Sequence, residues 1–545
     1  MKTPLVPITV VAVVLMAAVA HAIGRSERIA PLPRARPNIV LFLVDDLGWQ
    51  DASVPMHSER TPFNDRYRTP NLEKLAARGV RFTNAYASAP VCTPTRTAIM
   101  TGKAPARTHI TYWTLNKDTD TSRPRDDVAA PDWAVNGLQP GDHETLPAIL
   151  RSAGYRTIHV GKAHFGAHGT PGGDPTSLGF DVNIAGHASG GPASYYGLQH
   201  FTVAGRQGKP PHETSSVWDI PGLEVYHGHD IYLTEALAIE ASRAIRDAVD
   251  AGVPFFMNFA PYAVHAPIMG NKKYEPNYPD LDDRERAYAS MIETYDVALG
   301  ALVTTLEETG QLENTVIIFS SDNGGLSAHA RGKAPDGQTR HTHNAPLKSG
   351  KGSAYEGGTR VPTIIAWPGV TDSLQADARS IDTPIISHDF FPTIIGLAGL
   401  QADLGPDRGS EIDGRDLSPL LTGRPQLFDA DRVLGWNQPH QWGADGPGIR
   451  PFTSIRRGDW KLIYFHAGRR FELYNLAADL GEASDLAAED PDRVAELAGV
   501  MEAWIERTGA QLSIDKTTGE EIERPGVAAR SWIDQHATSG AGSTP

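Results

Sequence analysis

Cys92 is the only cysteine in a chain of 545 residues. It can close no internal disulfide, so it is either a buried structural thiol, behaving as a small hydrophobe, or a reactive group. Its neighbours favour chemistry. In Cys92-Thr93-Pro94-Thr95-Arg96 the proline fits the first turn of a helix, which places Cys92 at the helix N-terminus. Backbone N–H groups and the helix dipole there favour negative charge on the cysteine side chain and on a bound anion. Arg96, one turn on, is placed to steady that side chain or its product. Acidic, amide and imidazole groups recur at Asp45-Asp46, His265 and Asp322-Asn323. Taken singly, Asp and Asn pairs after strands are ordinary turn residues.

The elements around these groups decide whether they meet. Ile39–Val44 reads as a buried strand ending at Asp45-Asp46. A helix starts near Thr69, with Pro70 in its first turn and Leu72, Leu75 and Ala76 on one face, and Gly79 stops it. Val80–Tyr86 reads as one strand, 144–153 as a helix ended by Gly154, and a strand follows through Ile158 and Val160. Phe255–Phe259 leads to His265, the helix over 285–309 ends at Gly310, and Val316–Phe319 runs into Asp322-Asn323. Alternating strands and helices predict a doubly wound α/β sheet, whose site lies outside the carboxyl ends of its strands. Groups far apart in sequence are therefore expected to converge.

From about residue 430 short strands succeed one another, around Thr453-Ser454-Ile455-Arg456, Trp460 to Tyr464 and Phe471 to Tyr474. A helix follows at about 491–507. The division expected is a signal peptide over 1–22, a linker over 23–36, a catalytic domain over 37–429, a small C-terminal domain over 430–514 and a mobile tail over 515–545. The leader has Lys2, an apolar run from Val10 to Ala20 and a small-x-small site at Ala20-His21-Ala22. The run is too short to span a bilayer, so the expected protein is exported, periplasmic or secreted, with no membrane partner after cleavage. The net charge of −15 repels polyanions and argues against nucleic acid as a partner. An anionic substrate would need a local basic cluster. The 53 Gly and 41 Pro point to many loops, where sites tend to sit.

C-x-P-(S/T)-R followed by Thr101-Gly102 resembles the signature of the formylglycine-dependent (type I) sulfatases of the alkaline phosphatase superfamily. That resemblance implies a large doubly wound mixed sheet flanked by helices, with a smaller C-terminal α+β domain on an antiparallel sheet. It implies oxidation of Cys92 to formylglycine (3-oxoalanine) by a formylglycine-generating enzyme. Asp45-Asp46-Leu47-Gly48 resembles the family's first metal pair and Asp322-Asn323-Gly324-Gly325 its second. With Cys92 they imply a divalent cation; hard oxygen donors suit Ca2+, with Mg2+ the alternative. Gly161-Lys162-Ala163-His164, the His265-Ala266-Pro267 element and Lys351 resemble further site elements of that family, and Ser454 to Leu462 and Glu472 to Leu476 its small domain.

The family mechanism then assigns Lys162 and Lys351 to sulfate oxygens, His265 to the leaving oxygen and His164 to the proton whose removal expels sulfate. Glu356 and Arg360 read as a structural ion pair. Thr95 stands where Ser is commoner in the motif, and 165–230, rich in Gly and His, matches no pattern of the family. The substrate implied is a sulfated carbohydrate. Two other readings stand beside it: a phosphodiesterase or phosphonate monoester hydrolase of the same superfamily, and a non-catalytic metal-dependent carbohydrate-binding protein.

Overall fold

Strand β1 (Asn38–Val44) is buried along its whole length and lies in the middle of an eight-stranded sheet. The other strands are β2 (Val80–Phe82), β3 (Arg156–Gly161), β4 (Val182–Ile184), β5 (Phe255–Ala260), β6 (Thr315–Ser321), β7 (Thr363–Ala366) and β8 (Ser380–Ile381), in the order β8-β2-β7-β6-β1-β5-β3-β4. Strand β7 runs antiparallel to both β6 and β2, which makes the sheet mixed. The four strands β6, β1, β5 and β3 are mutually parallel neighbours, so their carboxyl ends share one edge. The structure is a computed structural model and describes residues 36–210, 215–332, 340–401 and 411–540. The expected signal peptide and nearly all of the expected linker lie outside the described residues.

Alternation along β1 divides the core. Val40, Phe42 and Val44 pack on one face of the sheet beneath α3 (Leu233–Asp250) and α4 (Asp283–Glu308), while Ile39, Leu41 and Leu43 face the other side. On that other side lies α2 (Cys92–Thr101), every residue of which is buried. The earlier helix α1 (Pro70–Arg78) has Pro70 in its first turn and Gly79 as its cap, as expected. Helix α4 also follows the sequence reading closely. No helix among the described residues is long and apolar enough to cross a membrane.

Two expectations are corrected. The strand expected over Val80–Tyr86 breaks after Phe82, and Ala85–Tyr86 pairs instead with Ile385–Ile386. At the break Thr83 O accepts from the Arg360 guanidinium, at 3.2 and 2.9 Å, a tertiary contact that no local pattern announces. Within the stretch from 515, expected as a mobile tail, the described residues 515–540 include paired and helical segments. Ile514–Asp515 pairs antiparallel with Val128–Ala129, and α6 (Pro525–Gly540) packs on α5 (Pro491–Thr508). Ala528, Ala529 and Trp532 are buried in that contact, a stripe too short to show as a periodic pattern.

The antiparallel sheet of the C-terminal region is four-stranded: β9 (Val433–Gln438), β10 (Phe452–Arg457), β11 (Trp460–Phe465) and β12 (Arg470–Asn475). From Ala35 onward the chain forms one unit. A buried ionic group joins the small sheet to the loop that follows Lys351. Lys461 of β11 lies 2.9 Å from Glu356 and from Glu482, and Arg360 lies 3.3 Å from Glu356, which is the structural pair expected.

Candidate active site

The carboxyl ends of β1 and β6 are laced together. Asp46, with φ 63°, turns its N–H to Asp322 Oδ1 at 3.2 Å, and Leu47 N–H donates to Ser321 Oγ at 2.9 Å. A left-handed Asp is uncommon and is held here by these two bonds. The end of β5 joins through Asp45, whose backbone exchanges hydrogen bonds with Ala263 O and Val264 N. The four groups expected at strand ends (Asp45, Asp46, Asp322 and Asn323) are all fully buried, and His265 stands beside them.

Helix α2 brings Cys92 to this edge. Its Sγ lies 3.8 Å from Asp45 Oδ1 and 3.2 Å from Lys351 Nζ. Val91 caps the helix without a side-chain bond, so the N-terminus stays open to another acceptor. Thr95 Oγ1 accepts from Ala89 N–H at 3.0 Å and contacts Ala89 O at 3.2 Å, so the hydroxyl that stands in place of serine braces the loop before Cys92. Arg96 donates Nε–H to Asp322 Oδ2 at 2.7 Å and a second N–H to Lys162 O at 2.9 Å.

Lys351 meets Asp46 Oδ1 at 2.5 Å. Lys162 Nζ donates to both oxygens of Asp45 at 2.8 Å. A buried carboxylate requires a counter-charge, and Lys162 supplies it. Burial pushes the Asp45 carboxyl well above the usual range despite Lys162. Burial also opposes ionisation of Asp46 and Asp322, but Lys351 and Arg96 respectively prevail and hold both low. Burial likewise disfavours the Lys351 ammonium, but Asp46 prevails and makes it hold its proton more tightly than usual.

The two histidines face the same space. His265 Nε2 lies 3.7 Å from Asp46 Oδ2, and Nδ1 is 2.6 Å from Ala266 O, which makes Nδ1 the protonated nitrogen of the neutral ring. His164 Nε2 is 2.8 Å from Thr114 O, leaving Nδ1 without a partner. Burial, reinforced by Lys351 for His265 and by Lys162 for His164, pushes both imidazoles below their ordinary value. The segment 165–230 supplies what sequence reasoning could not assign. A Cβ at Gly190 would lie 2.6 Å from His164 Cε1, so only glycine lets the backbone close over that ring.

The donor set fits a hard divalent cation. Asp46 Oδ2 and Asn323 Oδ1 are buried oxygens with no hydrogen-bond partner, which is costly unless something else coordinates them. Ligand atoms of Asp45, Asp46, Cys92 and His265 all lie within 4.8 Å of one another. Asp322 stands at the rim of that group, engaged by Arg96 and the Asp46 N–H. Three carboxylates face three cationic side chains here, so a bound dication would leave positive charge for an anionic substrate to offset. The sequence reading missed the walls: Trp113, Trp218 and Trp442 line a cavity with Cys92, His164, His265 and Lys351.

The family model described as Sulfatase matches residues 37–400. Human N-acetylgalactosamine-6-sulfatase is 31% identical over 504 residues, covering 83% of this chain and 84% of that protein. A sulfatase of Formosa agariphila is 28% identical over 541 residues, covering 90% of this chain and 92% of its own. Among solved structures, Ps i-CgsB superposes with a TM-score of 0.67 at 24% identity, covering 94% of this chain and 100% of that one. The sulfatase PsFucS1 from Pseudoalteromonas sp. does so with a TM-score of 0.61 at 23% identity, covering 92% and 95%. The structural likenesses support the α/β fold with its smaller antiparallel sheet, and the sequence matches carry the assignment: this chain belongs to the sulfatase family and is a sulfatase, a hydrolase of sulfuric esters.

Proposed function

We propose that the protein releases sulfate from a sulfated carbohydrate, a polysaccharide or an oligosaccharide derived from it, outside the cytoplasm. Cys92 is converted to formylglycine by a formylglycine-generating enzyme before it acts. The observation that carries this reading is the setting of Cys92: the lone cysteine heads a buried helix, 3.2 Å from Lys351 and 3.8 Å from Asp45. The N-acetylgalactosamine-6-sulfatase relatives, at 30–31% identity, support a sugar substrate. So do the neighbours crystallised with neocarrahexaose and with D-glucosamine-2-N,6-O-disulfate, within the limits of fold likeness.

Asp45, Asp46, Asp322 and Asn323, with the converted side chain of residue 92, would hold Ca2+, or Mg2+ in its place. The cation supplies Lewis acidity toward a sulfate oxygen and toward a formylglycine hydroxyl. Formylglycine supplies a geminal diol, one hydroxyl to attack sulfur and a second whose deprotonation expels sulfate and restores the aldehyde. An unmodified serine or cysteine offers no second hydroxyl.

The remaining roles belong to side chains in place. Lys351 offers its ammonium to the sulfate directly, and Lys162 adds charge through Asp45. Arg96 positions Asp322. His265, neutral at rest with Nε2 open to the site, gains a proton as the substrate's negative charge enters and passes it to the leaving oxygen. His164, with Nδ1 unpartnered, takes the proton from the second hydroxyl.

The test is the mass of the tryptic peptide Phe82–Arg96 from protein produced with a formylglycine-generating enzyme, coupled to sulfate release from a panel of sulfated sugars. An aldehyde or its hydrate at Cys92 together with released sulfate supports the reading. An intact thiol in an active enzyme would refute it.

A further inference from the structure

The loop that carries His265 leaves β5 after Ala260 and is fastened at short intervals. Its first turn is pinned to Asp45 through Ala263 O and Val264 N. Beyond that turn the holders are tyrosine hydroxyls. Tyr195 Oη lies 2.7 Å from Tyr262 O and 2.8 Å from His265 O. Tyr232 donates to Met269 O and Tyr196 to Gly270 O, each at 2.7 Å. Tyr262 answers from the loop itself, donating to Ala185 O at 2.9 Å. Tyr195, Tyr232 and Tyr262 are buried, and the rings of Tyr195 and Tyr232 stack with centroids 5.3 Å apart. Tyrosine suits this task because its ring packs as a hydrophobe while its hydroxyl finds a polar partner at the far end.

Of these hydroxyls, that of Tyr195 reaches His265 itself. Tyr262 O already accepts from the His265 N–H at 2.9 Å, so the Tyr195 hydroxyl bridges the two ends of the turn from Tyr262 to His265. The imidazole follows from that turn: Nδ1 bonds Ala266 O, and Nε2 is left 3.7 Å from Asp46 Oδ2. The stretch before Tyr195 closes on the same ring. A Cβ at Gly191 would lie 2.7 Å from His265 Nδ1 and 2.9 Å from Cε1, so backbone rests against that edge of the imidazole. Gly191 is held in turn by Ser189, whose Oγ donates to Gly191 O at 2.6 Å. Ser189, Gly191 and Tyr195 thus form a seat for His265, next to the seat that Gly190 forms for His164.

We propose that Tyr195 is a positioning residue for His265: its hydroxyl fixes the backbone on which the imidazole turns, so that Nε2 rather than Nδ1 faces the ester oxygen. The proposal rests on the reading of His265 as proton donor to the leaving oxygen. In that step the S–O bond breaks, its electron pair passes to the sugar oxygen, and the Nε2 proton neutralises it. Tyr195 is fully buried and acts through His265, not on the substrate. Loss of its hydroxyl therefore acts on protonation of the leaving group and leaves substrate affinity alone.

Tyr195→Phe keeps the ring and its stacking on Tyr232 and removes only the hydroxyl. In matured, metal-loaded, full-length protein it is expected to lower kcat on a sulfated sugar about tenfold or more, with KM unchanged. On nitrophenyl sulfate, whose phenolate leaves without a proton, the fall should stay below about twofold. Tyr232→Phe loses the same kind of bond at Met269 instead of His265 and is expected to keep the wild-type ratio of the two rates. Nitrogen NMR of labelled histidine in the Cys92→Ser protein reads the same positioning without turnover. The His265 signal, identified by its loss in His265→Asn, should report a proton on Nδ1 in that protein and a mixture of tautomers once Tyr195→Phe is added. An unchanged His265 signal overturns the proposal whatever the rates, and so does an equal fall on both substrates. His265→Asn separates the two readings. If it slows the sugar ester selectively and Tyr195→Phe does not, only the positioning role falls. If it slows both substrates equally, the role of His265 as proton donor falls as well.

Discussion

Arg96 Nε donates to Asp322 Oδ2 across 2.7 Å with both side chains fully buried, tying the helix that begins at Cys92 to the end of β6. The bond couples the position of Cys92 to the position of the carboxylates. Removing one partner of such a pair strands the other charge out of water. Arg96→Ala is therefore expected to cost about 3–5 kcal/mol of stability. Urea denaturation of the cation-depleted protein measures it, and a loss below about 1 kcal/mol would show that Asp322 finds another partner.

The close approach of Gly190 to His164 predicts a different signature. Gly190→Ala places a methyl 2.6 Å from His164 Cε1, so either the ring or the loop must shift. Misplacing a catalytic group by about 1 Å costs about a hundredfold in rate. A loss of that order in kcat, with the melting temperature lowered little, is the expected result. Wild-type kcat would show that the loop yields and that His164 does not depend on it.

Cation binding should be visible without catalysis. The unpartnered Asp46 Oδ2 and Asn323 Oδ1 gain a partner only when the site is filled. Added Ca2+ is thus expected to raise the melting temperature of chelator-treated protein, by about 2.7 kcal/mol of stability at a hundredfold excess over the dissociation constant. Asp46→Asn should abolish most of the shift. A shift of equal size in that variant would locate the cation elsewhere.

The buried group behind Lys351 predicts a pH dependence. Burial, opposed by Lys461 and reinforced by Glu356, pushes the Glu482 carboxyl from 4.5 up to about 7. Glu356 moves the other way, to about 2, because its burial is overcome by Lys461 and Arg360. For Glu482 the folded state holds its proton more tightly than the unfolded chain. Its contribution is fully present below about pH 4.5 and is lost as pH rises through about 7. Glu356 contributes above about pH 4.5 and loses that contribution as pH falls toward 2. Glu482→Gln should therefore gain stability relative to wild type on going from pH 5 to pH 8, on the order of 1–3 kcal/mol. A difference that stays flat across that interval would place the Glu482 carboxyl in the ordinary range.

Cys92 with Pro94, the Asp45-Asp46 and Asp322-Asn323 pairs, and the strands that lead into them were legible in the sequence alone. Each depends on short-range chemistry: a proline at a helix start, an apolar run that can only be a buried strand, an acid at its end. Their meeting was predictable too, because parallel neighbours end at one sheet edge. That Lys162 pairs with Asp45 was decided by tertiary structure, since which carboxylate needs a counter-charge depends on the folded interior. The same holds for α6, whose Ala528, Ala529 and Trp532 become a core only against α5. It holds most of all for Trp113, Trp218 and Trp442. No spacing relates residues 113, 218 and 442, and nothing short of the packed chain brings their rings around one cysteine.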